Sequence, residues 1–314
     1  MTLTIAPTVA QARAFLQSVI YAALFDYPLT PAQLRESLLG ETADETALMR
    51  WYEGSPYLKA AIDFVDGYFF PRGRHDVLYT RAEREAISRE MLGEMAGPLN
   101  LVTRMPFVRF VALSGSLAHL NASDDADLDL FVITCPGRVW TVTVATLLIA
   151  RLRGWRKRLC LNYVISERAL WIAPADLFSA NQIVHLQPIT GDDAYRRFLE
   201  ANHFVERFYP NFRPRPVKEH PRRSWLIEAA LKLTIAPMAE RRCRWLYRAH
   251  LGRRAHTWKS RDQVRLDPEC LKLHTSSHRR EVMERFEQAL EDAVQSAEQE
   301  VLTCEESPPL PATG

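Results

Sequence analysis

This sequence has no cysteines at paired spacing, no apolar run of membrane-spanning length and almost no net charge, and the first two absences each remove a class of protein. Its five cysteines, Cys135, Cys160, Cys243, Cys270 and Cys304, are scattered. Neither a zinc cluster nor a disulfide framework is indicated, and a reducing cytoplasm is the expected setting. The longest apolar run, residues 139–150, is interrupted by threonines and falls short of a span. Residues 1–10 lack the basic start of a signal peptide, so no membrane partner is expected. A formal net charge of +2 says little about partners, but its distribution says more, because basic residues crowd the last third.

What is present is ordinary globular composition, 47% hydrophobic and 25% charged over 314 residues, enough for two or three domains and a sizeable core. The chemistry is concentrated in Phe110-Val-Ala-Leu-Ser-Gly-Ser-Leu-Ala-His-Leu-Asn-Ala-Ser-Asp-Asp-Ala-Asp-Leu-Asp-Leu-Phe-Val-Ile-Thr134. Residues 108–113 have the β-branched and aromatic content of a buried strand. Ser114, Gly115 and Ser116 stop that strand where side chains are smallest and the backbone can approach a ligand. Leu128, Leu130, Val132 and Ile133 form the next strand. Its period of two puts Asp127 and Asp129 on one face, and two hard oxygen ligands side by side suit Mg²⁺.

Strand, Gly-Ser, loop, then Asp-hydrophobic-Asp-hydrophobic on the adjacent strand resembles the nucleotidyltransferase superfamily related to DNA polymerase β, through Gly115, Ser116, Asp127 and Asp129, over residues 107–166. The resemblance implies NTP phosphates over Ser114, Gly115 and Ser116, Mg²⁺ or Mn²⁺ on Asp127 and Asp129, and transfer of a nucleoside monophosphate to an acceptor the sequence does not encode. Members usually bring a third carboxylate on the following strand. Here residues 159–165 form that strand and the best-matching position carries Asn162, with Glu167 beyond the strand as a weaker substitute. An amide oxygen can ligate a metal but cannot neutralise charge or act as a base. Asn162 therefore completes the catalytic set with Asp127 and Asp129, or it hydrogen-bonds one of them and leaves a single-metal or catalytically degenerate nucleotide-binding protein.

The expected fold class is α+β. Residues 1–75, three helices followed by a hairpin at Asp66-Gly67, resemble a winged-helix domain. DNA binding through the third helix is disfavoured, because Arg50 and Lys59 face Asp44, Glu45 and Glu53 in residues 43–59. A helix linking the domains is expected over residues 76–104, ended by Pro98 near residue 97, then a mixed-sheet core over 105–175, a helical region over 176–302 and a disordered tail over 303–314. Arg138 is a candidate phosphate contact or a solvated loop arginine. His119, Asp124 and Asp125 lie on the loop between the two motifs and are candidates for acceptor contact. Asn181, Gln182, His185 and Asn202 either line a pocket or are surface polar residues. Between residues 241 and 265 fall Arg241, Arg242, Arg244, Arg248, Arg253, Arg254, Lys259, Arg261 and Arg265, with Trp245, Tyr247 and Trp258 interleaved and Asp262 the single acid. That stretch is an RNA or polyphosphate surface, or a solvated basic face whose aromatics are core.

Overall fold

The computed structural model describes residues 6–217, 228–231, 237–253, 256, 264–273 and 279–306. The chain is mixed α+β and divides into two compact units. One comprises Met1–Glu83, Glu206–Arg213 and Arg279–Gly314, and the other Arg84–Val205 and Pro214–His278. Among the described residues no helix is long and apolar enough to cross a membrane.

In the first unit the four helices before the hairpin each begin at a side-chain cap. Thr8 caps the helix Val9–Ala23 and Thr30 caps Pro31–Glu36, both in reciprocal capping boxes with a glutamine three residues on. Asp44 caps Glu45–Glu53 and Ser55 caps Pro56–Ala61, so the chain restarts as a fourth helix after Gly54. Strands β1 (Ile62–Val65) and β2 (Tyr68–Pro71) form the expected hairpin, with Asp66 and Gly67 both at positive φ, 53° and 83°. Leu29 bridges to Phe69, giving a short third strand position. Phe15, Tyr52, Phe64 and Phe69 fill the interior with ring contacts of 4.4 to 6.3 Å. The C-terminal helix Arg279–Glu306 joins this unit, through Phe286 edge-on to Tyr21 at 5.1 Å and Glu300 paired to Arg72 at 2.7 Å.

The second unit is built on a six-stranded mixed sheet of β3 (Val108–Leu113), β4 (Leu128–Thr134), β5 (Leu159–Ser166), β6 (Gln187–Thr190), β7 (Val264–Asp267) and β8 (Cys270–Leu273), in the order β6-β3-β4-β5-β8-β7. β3 and β4 are antiparallel, and β4 and β5 are parallel, joined through the helix Val139–Leu152. One sheet face, with Val111, Leu128, Leu130, Val132, Leu161 and Val164, is buried with Val102, Val139 and Trp140 from flanking helices. On the other face Tyr195 stacks flat on Phe110 at 5.1 Å and Phe198 meets Phe131 at 5.0 Å, both from the helix Asp192–Ala201.

Three sequence expectations change. The 76–104 linker is two helices, Asp76–Glu94 and Ala96–Arg104, and Pro98 lies in the first turn of the second, where its missing N–H would have no intrahelical partner anyway. The 176–302 region contributes three strands as well as helices. β6 hides Pro188, tolerated because β6 is the sheet edge, and β7 and β8 hide their alternation behind Arg265 and Lys272. The last helix continues to Glu306, so residues 303–306 of the expected tail are helical, and 307–314 lie outside the described residues.

Two buried carboxylates from the C-terminal part fasten it to the core. Glu240, on the helix Pro237–Gly252, accepts from the Trp140 N–H at 2.8 Å, the Thr141 N–H at 2.7 Å and the Thr141 hydroxyl, capping the helix Val139–Leu152 from outside. Glu228 accepts the Phe107 N–H at 2.9 Å and pairs through both oxygens with Arg109 at 3.0 and 2.8 Å. Glu240→Ala should cost roughly 1–3 kcal/mol, because two helix-start amides lose a charged acceptor. Chemical denaturation checks this, and an unchanged midpoint would show the contact contributes nothing.

Candidate functional site

The site begins where β3 ends. The Ser114 N–H donates to the Asp129 carbonyl at 2.9 Å, tying the turn to the start of β4. Gly115 follows at φ 65°, and a Cβ on it would stand 2.6 Å from Asp129 Oδ2. Both the left-handed backbone and the lack of space demand glycine here. The short turn Gly115–Ala118 then closes on itself, the Ser116 carbonyl accepting from the His119 and Asn121 N–H groups at 3.1 and 3.0 Å. Beyond it the Ala122 N–H donates to Ser88 Oγ at 2.9 Å.

Alternation places the carboxylates as expected. Leu128 and Leu130 are fully buried, Asp127 is exposed and Asp129 is half-buried. The strand opposite departs from regular pairing. Asp129 is level with Cys160 and Phe131 with Tyr163, so β5 carries one extra residue across this step. Alternation keeps Leu159 and Leu161 on the helix-covered face and turns Asn162 towards Asp129, and the bulge after it sets Tyr163 against Phe131 and Val164 back in the core. Asn162 Nδ2 donates to Asp129 Oδ1, and Cys160 Sγ donates to Asn162 Oδ1 at 2.8 Å.

Burial, and then the neighbouring Asp127 charge, push the Asp129 carboxyl up to about 6, against the opposing hydrogen bond from Asn162. Burial and the same two carboxylates push the Cys160 thiol up to about 12, so it is an S–H donor and no thiolate. Two carboxylates on one face, one of them half-buried and raised by its neighbour, form a donor set that a divalent cation would relieve, with substrate phosphates supplying further oxygens. Among the described residues no group of three or more His, Cys, Asp or Glu gathers to hold a metal by itself.

The other candidates separate clearly. Glu167 follows the far end of β5, roughly 20 Å along the strand from Cys160, where it pairs with Arg197. It is no substitute for Asn162. Arg138 is buried with its guanidinium 4.7 Å from the Phe107 ring, a packing role that neither alternative had anticipated. Asn202 is buried and ties the Ile172 N–H, at 2.8 Å, to the Leu170 and Phe198 carbonyls. His185 meets His119 with ring centroids 4.5 Å apart, and burial holds both below the ordinary imidazole range, His119 at about 4. Asp124 and Asp125 are exposed on their loop, and Asn181 and Gln182 are half-buried on the helix Leu177–Val184. Cys160 was missed by residue type, although its alternation with Asn162 in Leu159-Cys-Leu-Asn162 already put both on one face.

The basic stretch divides as well. On the helix Pro237–Gly252, Tyr247 lies 6.3 Å from Trp140 and Cys243 borders the core, whereas Arg241, Arg242, Arg248 and Trp245 are exposed, Trp245 by 70%. Its one acid, Glu240, is buried. Arg265 pairs with Asp267 at 3.2 Å, and Arg254, Trp258, Lys259 and Arg261 lie outside the described residues.

The chain matches no protein-family model, and no curated protein or solved structure is significantly similar to it.

Two outcomes follow from this geometry. Asp129 binds its proton more tightly folded than unfolded, so its contribution to stability is full below about pH 4 and is lost as pH rises through about 6. Asp129→Asn should therefore gain on wild type from about pH 4 to about pH 7 in thermal melts without divalent ions; a constant difference would contradict the raised carboxyl. Gly115→Ala should lower stability by roughly 1–3 kcal/mol through backbone strain and the clash with Asp129, with calorimetry as the check.

Proposed function

We propose that this chain binds a nucleoside triphosphate between the Ser114-Gly115-Ser116 turn and the Asp127/Asp129 pair, and transfers its nucleoside monophosphate to an acceptor in a Mg²⁺- or Mn²⁺-dependent reaction. The observation that carries the reading is the closeness of Gly115 to the Asp129 carboxylate, where a Cβ would stand 2.6 Å from Oδ2, so that a small-residue turn lies beside the carboxylate pair. Ser114, Gly115 and Ser116 would hold the β and γ phosphates, through the Gly115 and Ser116 N–H groups and the two serine hydroxyls, while Asp127 and Asp129 would hold the cation that the phosphates share. A bound divalent ion supplies charge withdrawal from the α-phosphoryl centre and the leaving pyrophosphate. The protein's own contribution is position: Asp129 is fixed by its neighbours before the nucleotide arrives, so little reorganisation is left for the reaction. A reducing cytoplasm suits a site in which Cys160 must remain a thiol.

A second reading, nucleotide binding without transfer on the same fold, is favoured by the hydrogen bond from Asn162 to Asp129, since an amide donor stands where a third carboxylate is expected. The first unit, with its helices, the Leu29 bridge and the β1-β2 hairpin, fits a winged-helix module for protein contact. As a DNA reader it is poorly suited, because Glu45–Glu53 carries Arg50 against an acidic cap and first turn. The exposed Arg241, Arg242, Arg248 and Trp245 fit an RNA contact through phosphates and stacking.

Incubation with α-labelled NTPs and Mg²⁺ or Mn²⁺ tests the reading. Label should pass to the protein or to a candidate acceptor and vanish in Asp127→Asn with Asp129→Asn; equal labelling of the double variant refutes the site, and nucleotide bound without transfer selects the second reading. RNA affinity should fall steeply with salt and drop further in Arg242→Glu with Trp245→Ala; salt-independent binding would contradict the phosphate contact.

A further inference from the structure

We infer that the nucleotide site takes a single divalent cation, and that Asn162 is the positioning residue that limits it to one. This rests on the nucleotide reading above and deepens it. A second cation beside the first needs an anionic seat on β5, and Asn162, the β5 residue that meets Asp129, offers the wrong end of an amide. Its Nδ2 hydrogens point at Asp129 Oδ1, so they present partial positive charge to the space a cation would enter and occupy a lone pair it would use. The amide oxygen is turned the other way, accepting the Cys160 thiol at 2.8 Å.

The orientation follows from chemistry. An ionised carboxylate can only accept, so the opposite amide rotamer would set Asn162 Oδ1 against Asp129 Oδ1, two acceptors facing each other. Cys160 secures the productive rotamer from behind, as a thiol that donates to the one amide atom left over. Charge points the same way. One divalent ion balances Asp127 and Asp129, whereas a second would have the nucleotide phosphates as its only anionic partners. Glu167, the next acid along β5, is engaged with Arg197 at the far end of the strand. Among the described residues no further His, Cys, Asp or Glu completes a three-residue cage.

The experiment is a count. Wild type, Asn162→Asp and Asn162→Ala are dialysed to equilibrium against Mn²⁺ and α,β-methylene NTP analogues, which bind without being cleaved, and both Mn²⁺ and nucleotide are measured per chain. Wild type should hold one Mn²⁺ with each nucleotide. Asn162→Asp should hold two, the added carboxylate supplying the missing seat, and Asn162→Ala should still hold one, because losing the donor adds no charge. Two Mn²⁺ on wild type with nucleotide bound would overturn the inference and leave the nucleotide reading intact. No nucleotide on any of the three chains would overturn the nucleotide reading and this inference with it. The wild-type count stands alone if Asn162→Asp does not fold.

Discussion

The contact between the Gly115 backbone and the Asp129 side chain is the constraint from which the rest of the site follows. It requires a residue without a Cβ and with a positive φ, and it draws the turn after β3 down onto the first residues of β4. The Ser114 N–H to the Asp129 carbonyl completes the junction from the backbone side. Because β3 and β4 are neighbours in the middle of the sheet, and their leucines and valines are buried beneath flanking helices, the junction cannot open without disturbing the core of the unit. A small-residue turn and a carboxylate pair are thus held together by packing that has nothing to do with a ligand.

Electrostatics then decides what that arrangement is ready for. Asp129 is half-buried beside Asp127, and its ionised form is disfavoured there despite the Asn162 donor. Burial first and the Asp127 charge second make ionised Asp129 costly, and this supports the proposed metal seat at the pair and not at Asp124 and Asp125, which are exposed on the loop. The groups on β5 are both uncharged at ordinary pH: the Cys160 thiol holds the Asn162 amide, and the amide orients Asp129 without neutralising it. Alternation from Cys160 puts Asn162 on the Asp129 face, and the extra residue in β5 then brings Tyr163 level with Phe131 on that same face and returns Val164 to the covered one.

Much of this was legible in the sequence, and the limits have physical causes. β3, β4 and β5 could be read almost residue by residue, because buried strands bounded by small or polar residues leave an unambiguous pattern, and Asp127 and Asp129 followed from the period of two. Asp66-Gly67 was equally readable, being local chemistry. The bulge was not read, although Leu159, Leu161 and Val164 break phase within one strand; a slip of one residue looks like noise until the partner strand is known. β7 and β8 were hidden by their length and charges, and the buried roles of Arg138, Glu228 and Glu240 depend on tertiary contacts, spanning 121 residues for Glu228 and 100 for Glu240. Composition marks such residues as surface until tertiary packing assigns them otherwise.

The central claim is that the turn at Gly115 and the Asp127/Asp129 pair form one seat for a metal-bound triphosphate. A crystal structure with Mn²⁺ and an α,β-methylene NTP analogue, recorded for the anomalous signal of manganese, tests it most directly. The account predicts one anomalous peak shared by Asp127, Asp129 and the phosphates, with Asn162 still donating to Asp129. A nucleotide bound elsewhere on the chain, or no peak between the two carboxylates, would contradict it.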